Sequence, residues 1–200
     1  CPPVPQLENL SWDKFKGEKY IGWEWIPIDL NFSRTIKTET KKSSNSHLKV
    51  LTAMGGSDPL GLTIDVVKAL KRLKADIKTT VIIGKSFQKL NQLKEEAKSI
   101  SNKIQILVNP KNIPKIMNSH DLAICSFGMM AYELASQGTK ACYICTTDDH
   151  AESAIALEKA GYGISLGCIN KLSKVDINNA IIKFVCKELE KKDNSTSLLN

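Results

Sequence analysis

The chain has no apolar run of the roughly 20 residues that a membrane-spanning helix takes. It opens at Cys1 on Pro2 and Pro3 and lacks the basic-then-apolar pattern of a secretory leader. It is therefore expected to be a fragment of a longer chain, with no signal peptide and no membrane span. Aromatic residues make up 6% of the 200 residues, and all three tryptophans (Trp12, Trp23, Trp25) precede residue 34. The remainder has no dense basic block interleaved with aromatics, the combination that nucleic-acid binding uses. The net charge of +7 suits acidic partners such as phosphates. However, Lys68, Lys71, Lys74, Lys89, Lys94 and Lys98 are spread along helical patterns and read as solvated faces. Nucleic acid is not the expected partner. There is no internal repeat, no G-x-G-x-x-G and no G-K-[ST] phosphate loop.

Six cysteines are present. Cys125, Cys142, Cys145 and Cys168 fall in or beside apolar strand-like runs, where a free thiol behaves as a small buried hydrophobe. That usage fits a reducing cytoplasm. Cys142 and Cys145 have C-x-x-C spacing, but residues three apart on a strand point to opposite faces. No metal site is expected from them, and no cofactor is implied.

What is present is a regular alternation. Residues 1–34 form an irregular, Trp- and Pro-containing extension expected to pack on the main domain. Residues 35–47, with Lys41-Lys42-Ser43-Ser44-Asn45-Ser46, read as a polar linker or loop. Residues 48–190 hold short apolar runs alternating with helical patterns, and 191–200 read as a flexible polar tail. The expected strands are Leu48–Met54, Thr79–Ile83, Ile104–Val108, Leu122–Ser126, Ala141–Cys145 and Gly163–Leu166. The helices between and after them are expected at Leu62–Lys74, Phe87–Ser99, Ile113–Met117, Met129–Gln137, His150–Lys159 and Val175–Glu190. Val66, Val67, Leu70 and Leu73 show the i, i+3, i+4 spacing of a helix with one buried face. Apolar strands alternating with such helices predict an α/β doubly wound parallel sheet of about six strands.

Ligands of such sheets sit beyond the carboxyl ends of the strands. The candidate loops are therefore Gly55 to Asp58, Gly84 to Ser86, Asn109 to Ile113, Ser126 to Met129, and Thr146 to His150. The first follows Val50-Leu51-Thr52-Ala53-Met54 and reads as strand, Gly-rich turn, helix. Backbone can approach a phosphate there with no Cβ in the way, beside a helix N-terminus. A tight turn with nothing bound is the other reading.

Several segments together resemble the C-terminal half of GT-B nucleotide-sugar enzymes. They are Tyr20-Ile-Gly-Trp-Glu-Trp-Ile-Pro-Ile-Asp-Leu-Asn-Phe, Gly55-Gly56-Ser57-Asp58, Val81-Ile82-Ile83-Gly84, Asn112-Ile113-Pro114-Lys115-Ile116-Met117, Asp121-Leu-Ala-Ile-Cys-Ser-Phe-Gly128, Tyr132-Glu133-Leu134 and Asp149-His150. The resemblance spans about Tyr20 to Gly167. It is strongest to the UDP-2,4-diacetamido-2,4,6-trideoxy-β-L-altropyranose hydrolases of the pseudaminic acid pathway, relatives of the glycosyltransferase that makes lipid II. It implies a Rossmann-like fold and a UDP-sugar as partner, in surface-glycan or nonulosonic acid biosynthesis. The activity implied is hydrolytic release of UDP. The donor-binding half of a glycosyltransferase, or a module that keeps the fold without the site, are the alternatives.

The resemblance also assigns roles. Gly55, Gly56, Ser57 and Asp58 would bind the diphosphate through backbone N–H groups and the Ser57 hydroxyl. The Ile113 backbone would meet the uracil edge. Gly128 and Met129, opening a helix, would face the phosphates. Glu133 would take the ribose hydroxyls, and Asp149 and His150 would approach the sugar or diphosphate. Plainer readings stand beside these: Glu133 as a surface carboxylate, His150 as an exposed residue, Met129 and Met130 as core plugs, Asp58 as a helix-terminal charge. The chain departs from the family at Met129-Met130 (Ser or Thr in the family), Thr139-Lys140 (Pro) and Asp149-His150 (Asn-Gln). The family's upstream N-terminal domain, with its catalytic histidine, is absent from this chain. None of His47, His120 and His150 matches that histidine. His150 is the one catalytic candidate, and otherwise no catalytic residue is expected here.

Overall fold

The computed structural model describes residues 2–33, 47–73, 75–98 and 104–197. Lys74, Ser99 and all of the expected linker but His47 lie outside the described residues. The strands are β1 (Leu48–Ala53), β2 (Ile77–Ile83), β3 (Ile104–Val108), β4 (Leu122–Ser126), β5 (Lys140–Cys145) and β6 (Gly163–Cys168). The helices are α1 (Pro5–Glu8), α2 (Leu30–Ser33), α3 (Leu62–Lys71), α4 (Leu90–Lys98), α5 (Ile113–Asn118), α6 (Met129–Ser136), α7 (Asp148–Lys159) and α8 (Lys174–Ser197). The six strands form one parallel sheet in the order β3-β2-β1-β4-β5-β6.

Alternation along each strand divides the core into two layers. Val50, Ile77, Ile124, Cys142 and Ile144 face α3 and α8, while Val81 and Ile83 meet Phe87 and Leu93 beside α3 and α4. Leu51, Ala53, Cys125, Tyr143 and Cys145 face the other way, onto Met117, Ala131, Leu134 and Leu157 of α5, α6 and α7. Cys142 and Cys145 thus sit in opposite layers. Burial pushes the Cys125 and Cys142 thiols well above the usual range, which keeps them protonated and poor nucleophiles.

Differences from the sequence expectations are local. β2 begins at Ile77, because Ile77 to Thr79 pair with Leu48 to Val50 at the start of β1. Phe87 does not open a helix. It is buried beside Ile64 and Leu93, its N–H donates to the Gly84 carbonyl at 3.3 Å, and α4 starts at Leu90. α7 starts at Asp148 because the Thr147 hydroxyl caps it, accepting from the His150 N–H at 3.1 Å. β6 continues to Cys168, which pairs with Cys145 across a register shift. α8 runs on to Ser197.

The described part of the N-terminal extension lies along α7 and α6. Gln6 Nε2 donates to the Asp149 carbonyl at 2.9 Å and to Ser153 Oγ at 3.1 Å. Phe32 is buried beneath α6, and Gln137 Nε2 donates to its carbonyl at 2.6 Å.

The turn from β1 to α3 is held by one buried carboxylate. Asp58, 4% exposed, accepts from the Leu62 N–H at 2.9 Å and the Thr63 N–H at 2.7 Å. Asp58 therefore satisfies the first amides of α3, and its own φ is +40°. Asp58→Ala is expected to cost about 2 kcal/mol in urea denaturation, since a charged cap over two amides is lost. Ser57→Ala, one residue away and exposed, is expected to stay within about 0.5 kcal/mol. Equal stability of the two variants would contradict the capping role.

Candidate functional site

The strand order reverses between β1 and β4. The connection leaving β1 turns to the layer of α3, and the one leaving β4 turns to the layer of α6, so the two diverge and leave a crevice between them. Two of the predicted loops meet there. Gly55 has φ +79°, a conformation that favours glycine, and a Cβ on it would lie 3.9 Å from Ser126 Oγ at the end of β4. The loop after β2 joins them from the side. A Cβ on Gly84 would fall on the Gly56 carbonyl oxygen, and 2.7 Å from the Gly56 Cα, so only glycine lets the two backbones approach. Gly55, Gly56 and Ser57 are exposed.

Helix ends around this edge are unequal. Asp58 fills the first amides of α3. Asn112 Oδ1 accepts from the Lys115 N–H in α5, Thr147 caps α7, and Ser173 Oγ accepts from the Asp176 N–H in α8. α6 begins at Gly128, which has no side chain to cap it, and no described residue takes the place of one. The open amides of α6 and the exposed backbone of Gly55 to Ser57 thus flank one crevice, an arrangement suited to an anion. The expectation that α3 also offers unpaired amides does not hold, because Asp58 occupies them.

Phe127 supports this loop from below. It is buried, packs edge-on against Tyr132 and Tyr143, and lies 5.8 Å from the His150 ring centre. His150 Nδ1 lies 3.2 Å from the Thr146 hydroxyl, and its Nε2 has no partner among the described residues. Asp149 is exposed, with its carbonyl tied to Gln6. Met129 is 48% exposed and so is not a core plug, whereas Met130 packs against the α6 layer.

Ile113 opens α5, which packs against α6, and its side chain borders the same apolar cluster. Glu133 lies on α6 one turn before Gln137. Because Gln137 anchors Phe32, the Asp29 end of the α2 segment comes to Glu133. Burial first, and then the Asp29 charge, raise the Glu133 carboxyl above the usual carboxylate range. In the sequence Ser126 starts a candidate loop and Asp29 falls in a resembling segment, but neither is given a role there.

A cavity of about 320 Å³ opens at the opposite edge, beside Lys49, Lys78, Gln105 and His120. His120 is fully engaged there, with Nδ1 2.6 Å from the Ile116 carbonyl and Nε2 2.8 Å from Thr80 Oγ1. It serves the packing of α5 on the sheet.

No protein-family model matches the chain. An uncharacterized protein of Methanocaldococcus jannaschii, MJ1062, is 33% identical over 133 residues, which is 64% of this chain and 28% of that protein. Acinetobacter baumannii MurG superposes with a TM-score of 0.67 at 17% identity, covering 90% of this chain and 50% of MurG. WaaG, a glycosyltransferase involved in lipopolysaccharide biosynthesis, gives 0.55 at 16% identity over 76% of this chain and 44% of WaaG. The Staphylococcus aureus MnaA–UDP structure gives 0.54 at 13% identity over 76% of this chain and 41% of MnaA. The chain spans 28% of MJ1062 and half or less of MurG, WaaG and MnaA. The likeness is one of fold, the Rossmann-like domain of GT-B nucleotide-sugar enzymes.

Glu133 gives a stability test. A carboxyl raised in the folded state contributes fully below the ordinary carboxylate range, and that contribution is lost as pH rises through its raised pKa. Glu133→Gln removes the loss. The variant is expected to melt roughly 1–2 °C above the parent near neutral pH and together with it well below the ordinary Glu value of about 4.3. A lower melting temperature at neutral pH would contradict the arrangement.

Proposed function

We infer that this chain is the donor-binding half of a nucleotide-sugar enzyme and takes the UDP portion of a UDP-sugar at the β1–β4 crevice. The observation that carries this reading is the uncapped start of α6 at Gly128, beside the exposed Gly55-Gly56-Ser57 turn at the strand-order reversal. The diphosphate would lie between them, held by amides of the turn, the Ser57 hydroxyl and the amides of Met129 and Met130. Ser126, on the wall of the crevice, replaces a hydroxyl that Met129-Met130 does not supply. Glu133 would accept the ribose hydroxyls, because an ionised carboxylate accepts two O–H bonds at once. The Ile113 backbone would read the uracil edge, and His150, through its open Nε2, would approach the diphosphate or sugar. Asp58 takes no phosphate in this scheme, since α3 uses both of its oxygens.

The finer reading is hydrolysis. The oxygen of water bonds to C1 of an activated deoxy amino sugar, the bond from C1 to the diphosphate oxygen breaks, and UDP leaves with the electron pair. The protein's part is to stabilise that leaving charge with fixed dipoles. The activating base and the sugar face would come from an upstream domain of the same protein, in a cytoplasmic pathway to surface glycans or nonulosonic acids. A sugar acceptor in place of water gives the glycosyltransferase reading, which the fold likeness to WaaG favours equally. The exposed Met129 fits a site that a second domain closes. This chain by itself is expected to bind UDP and to turn over little.

Calorimetric titration tests the reading. UDP is expected to bind in the micromolar to millimolar range and more tightly than CMP or ADP. Glu133→Ala is expected to weaken UDP by roughly tenfold. No heat with any nucleotide at high concentration would overturn it, and a salt-sensitive complex with random DNA would redirect it.

A further inference from the structure

The loop after β2 lies along the whole Gly-rich turn. At one end Gly84 is in backbone contact with Gly56. In the middle Phe87 is buried between α3 and α4 and pins the loop to the core. At the other end Lys89 Nζ lies only 2.6 Å from where a Cβ on Gly61 would stand, just before α3. Two lysines thereby flank the turn: Lys85 follows Gly84 in the chain, and the Lys89 ammonium lies over Gly61. Both are exposed, and neither has an ion-pair or hydrogen-bond partner for its ammonium among the described residues. Other lysines nearby are committed. Lys171 holds Asp148 at 2.6 Å, Lys174 holds Asp65 at 3.1 Å, and Lys68 and Lys71 hold Glu96 at 3.5 and 3.2 Å.

The charge balance of the crevice favours such a pair. A helix start contributes roughly half a positive charge. The buried Asp58 carboxylate places a negative charge at the base of the turn. A diphosphate brings more than one full negative charge, so amides and the α6 terminus leave it under-compensated. We propose that Lys85 and Lys89 form the cationic wall of the crevice and select ligands that carry a diphosphate. Lys89, read from the sequence as one of several lysines on a solvated helix face, precedes α4 and belongs to the site. The inference rests on the nucleotide-binding reading and names the part of the ligand these side chains recognise.

The test uses three probes, UDP, uridine and inorganic pyrophosphate, titrated into the parent, Lys85→Gln, Lys89→Gln, the double variant and Lys94→Gln. Lys94→Gln makes the same change in net charge on the exposed side of α4. The double variant is expected to lose roughly tenfold or more in affinity for UDP and pyrophosphate and nothing for uridine, with a flatter dependence on salt. Lys94→Gln is expected to match the parent, and all variants to keep its melting temperature. UDP bound equally well by parent and double variant overturns the cationic wall and leaves the nucleotide reading standing. Loss of uridine together with UDP also overturns it, because the lysines would then act on the fold and not on the diphosphate. Pyrophosphate binding that is lost in the double variant, in a parent that shows no preference for UDP over pyrophosphate, supports the wall and overturns the uridine site. A parent that binds none of the three overturns both.

Discussion

The crevice exists because β1 has a parallel neighbour on each side and its outgoing connection can cover only one face. β1 hands the chain to α3 on one layer, and β4 hands it to α6 on the other. From β2 to β1 both outgoing connections lie in the layer of α3 and α4, and from β4 to β5 both lie in the layer of α6 and α7. Between β1 and β4 they part. The separation is a property of strand order, independent of which residues occupy the loops. What the residues decide is whether the gap is filled by side chains or left lined with backbone. Here it is lined with backbone, because Gly55, Gly56, Gly84 and Gly128 bring no side chains to it.

Once the gap is open, the helix termini beside it acquire different uses. Unpaired amides at a helix start either donate to a side chain of the protein or remain for something else. Asp58, Asn112, Thr147 and Ser173 take the first course for α3, α5, α7 and α8. α6 takes the second. Its open start lies at the strand-order reversal, and that placement carries the functional reading further than the Gly-rich turn does alone. The turn had promised two helix starts, and Asp58 removes one of them. The same carboxylate leaves a fixed negative charge in the turn, which gives the uncommitted lysines of the neighbouring loop an electrostatic purpose.

Most of the fold was legible in the sequence because the signals that set it are local and periodic. Short apolar runs marked all six strands. Spacing of Val66, Val67 and Leu70 marked α3, and the likeness to GT-B folds at low identity agrees with that reading. The errors occurred where a distant partner decides. Ile77 is strand because β1 lies beside it, and Phe87 leaves the helix because α3 and α4 offer it a buried place. The positions of the candidate loops were legible in the sequence, but not their atoms. Asp58 read as part of the diphosphate loop, and only coordinates reveal that α3 consumes both of its oxygens. Asp29 sits more than a hundred residues from Glu133, and its approach depends on the Gln137–Phe32 bond, which no spacing encodes.

Glu133 gives an independent reason to read this face as functional. A carboxylate half-buried beside another acid raises the free energy of the folded state near neutral pH, and a glutamine of the same shape would not. Most surface positions have no such penalty, and replacing one charge relieves it. Gly84 is a second case. Glycine inside a packed turn costs backbone entropy, and alanine would be preferred were Gly56 not pressed against it. Met129 is a third, a large apolar side chain at the mouth of an otherwise polar edge. Each belongs to the same crevice or to the helix that leaves it. Thr52, Thr79 and Asn178 also hold buried oxygens without partners among the described residues, but a hydroxyl or amide in that position lacks one hydrogen bond and carries no charge. Of these departures, Glu133 is the one that carries a charge.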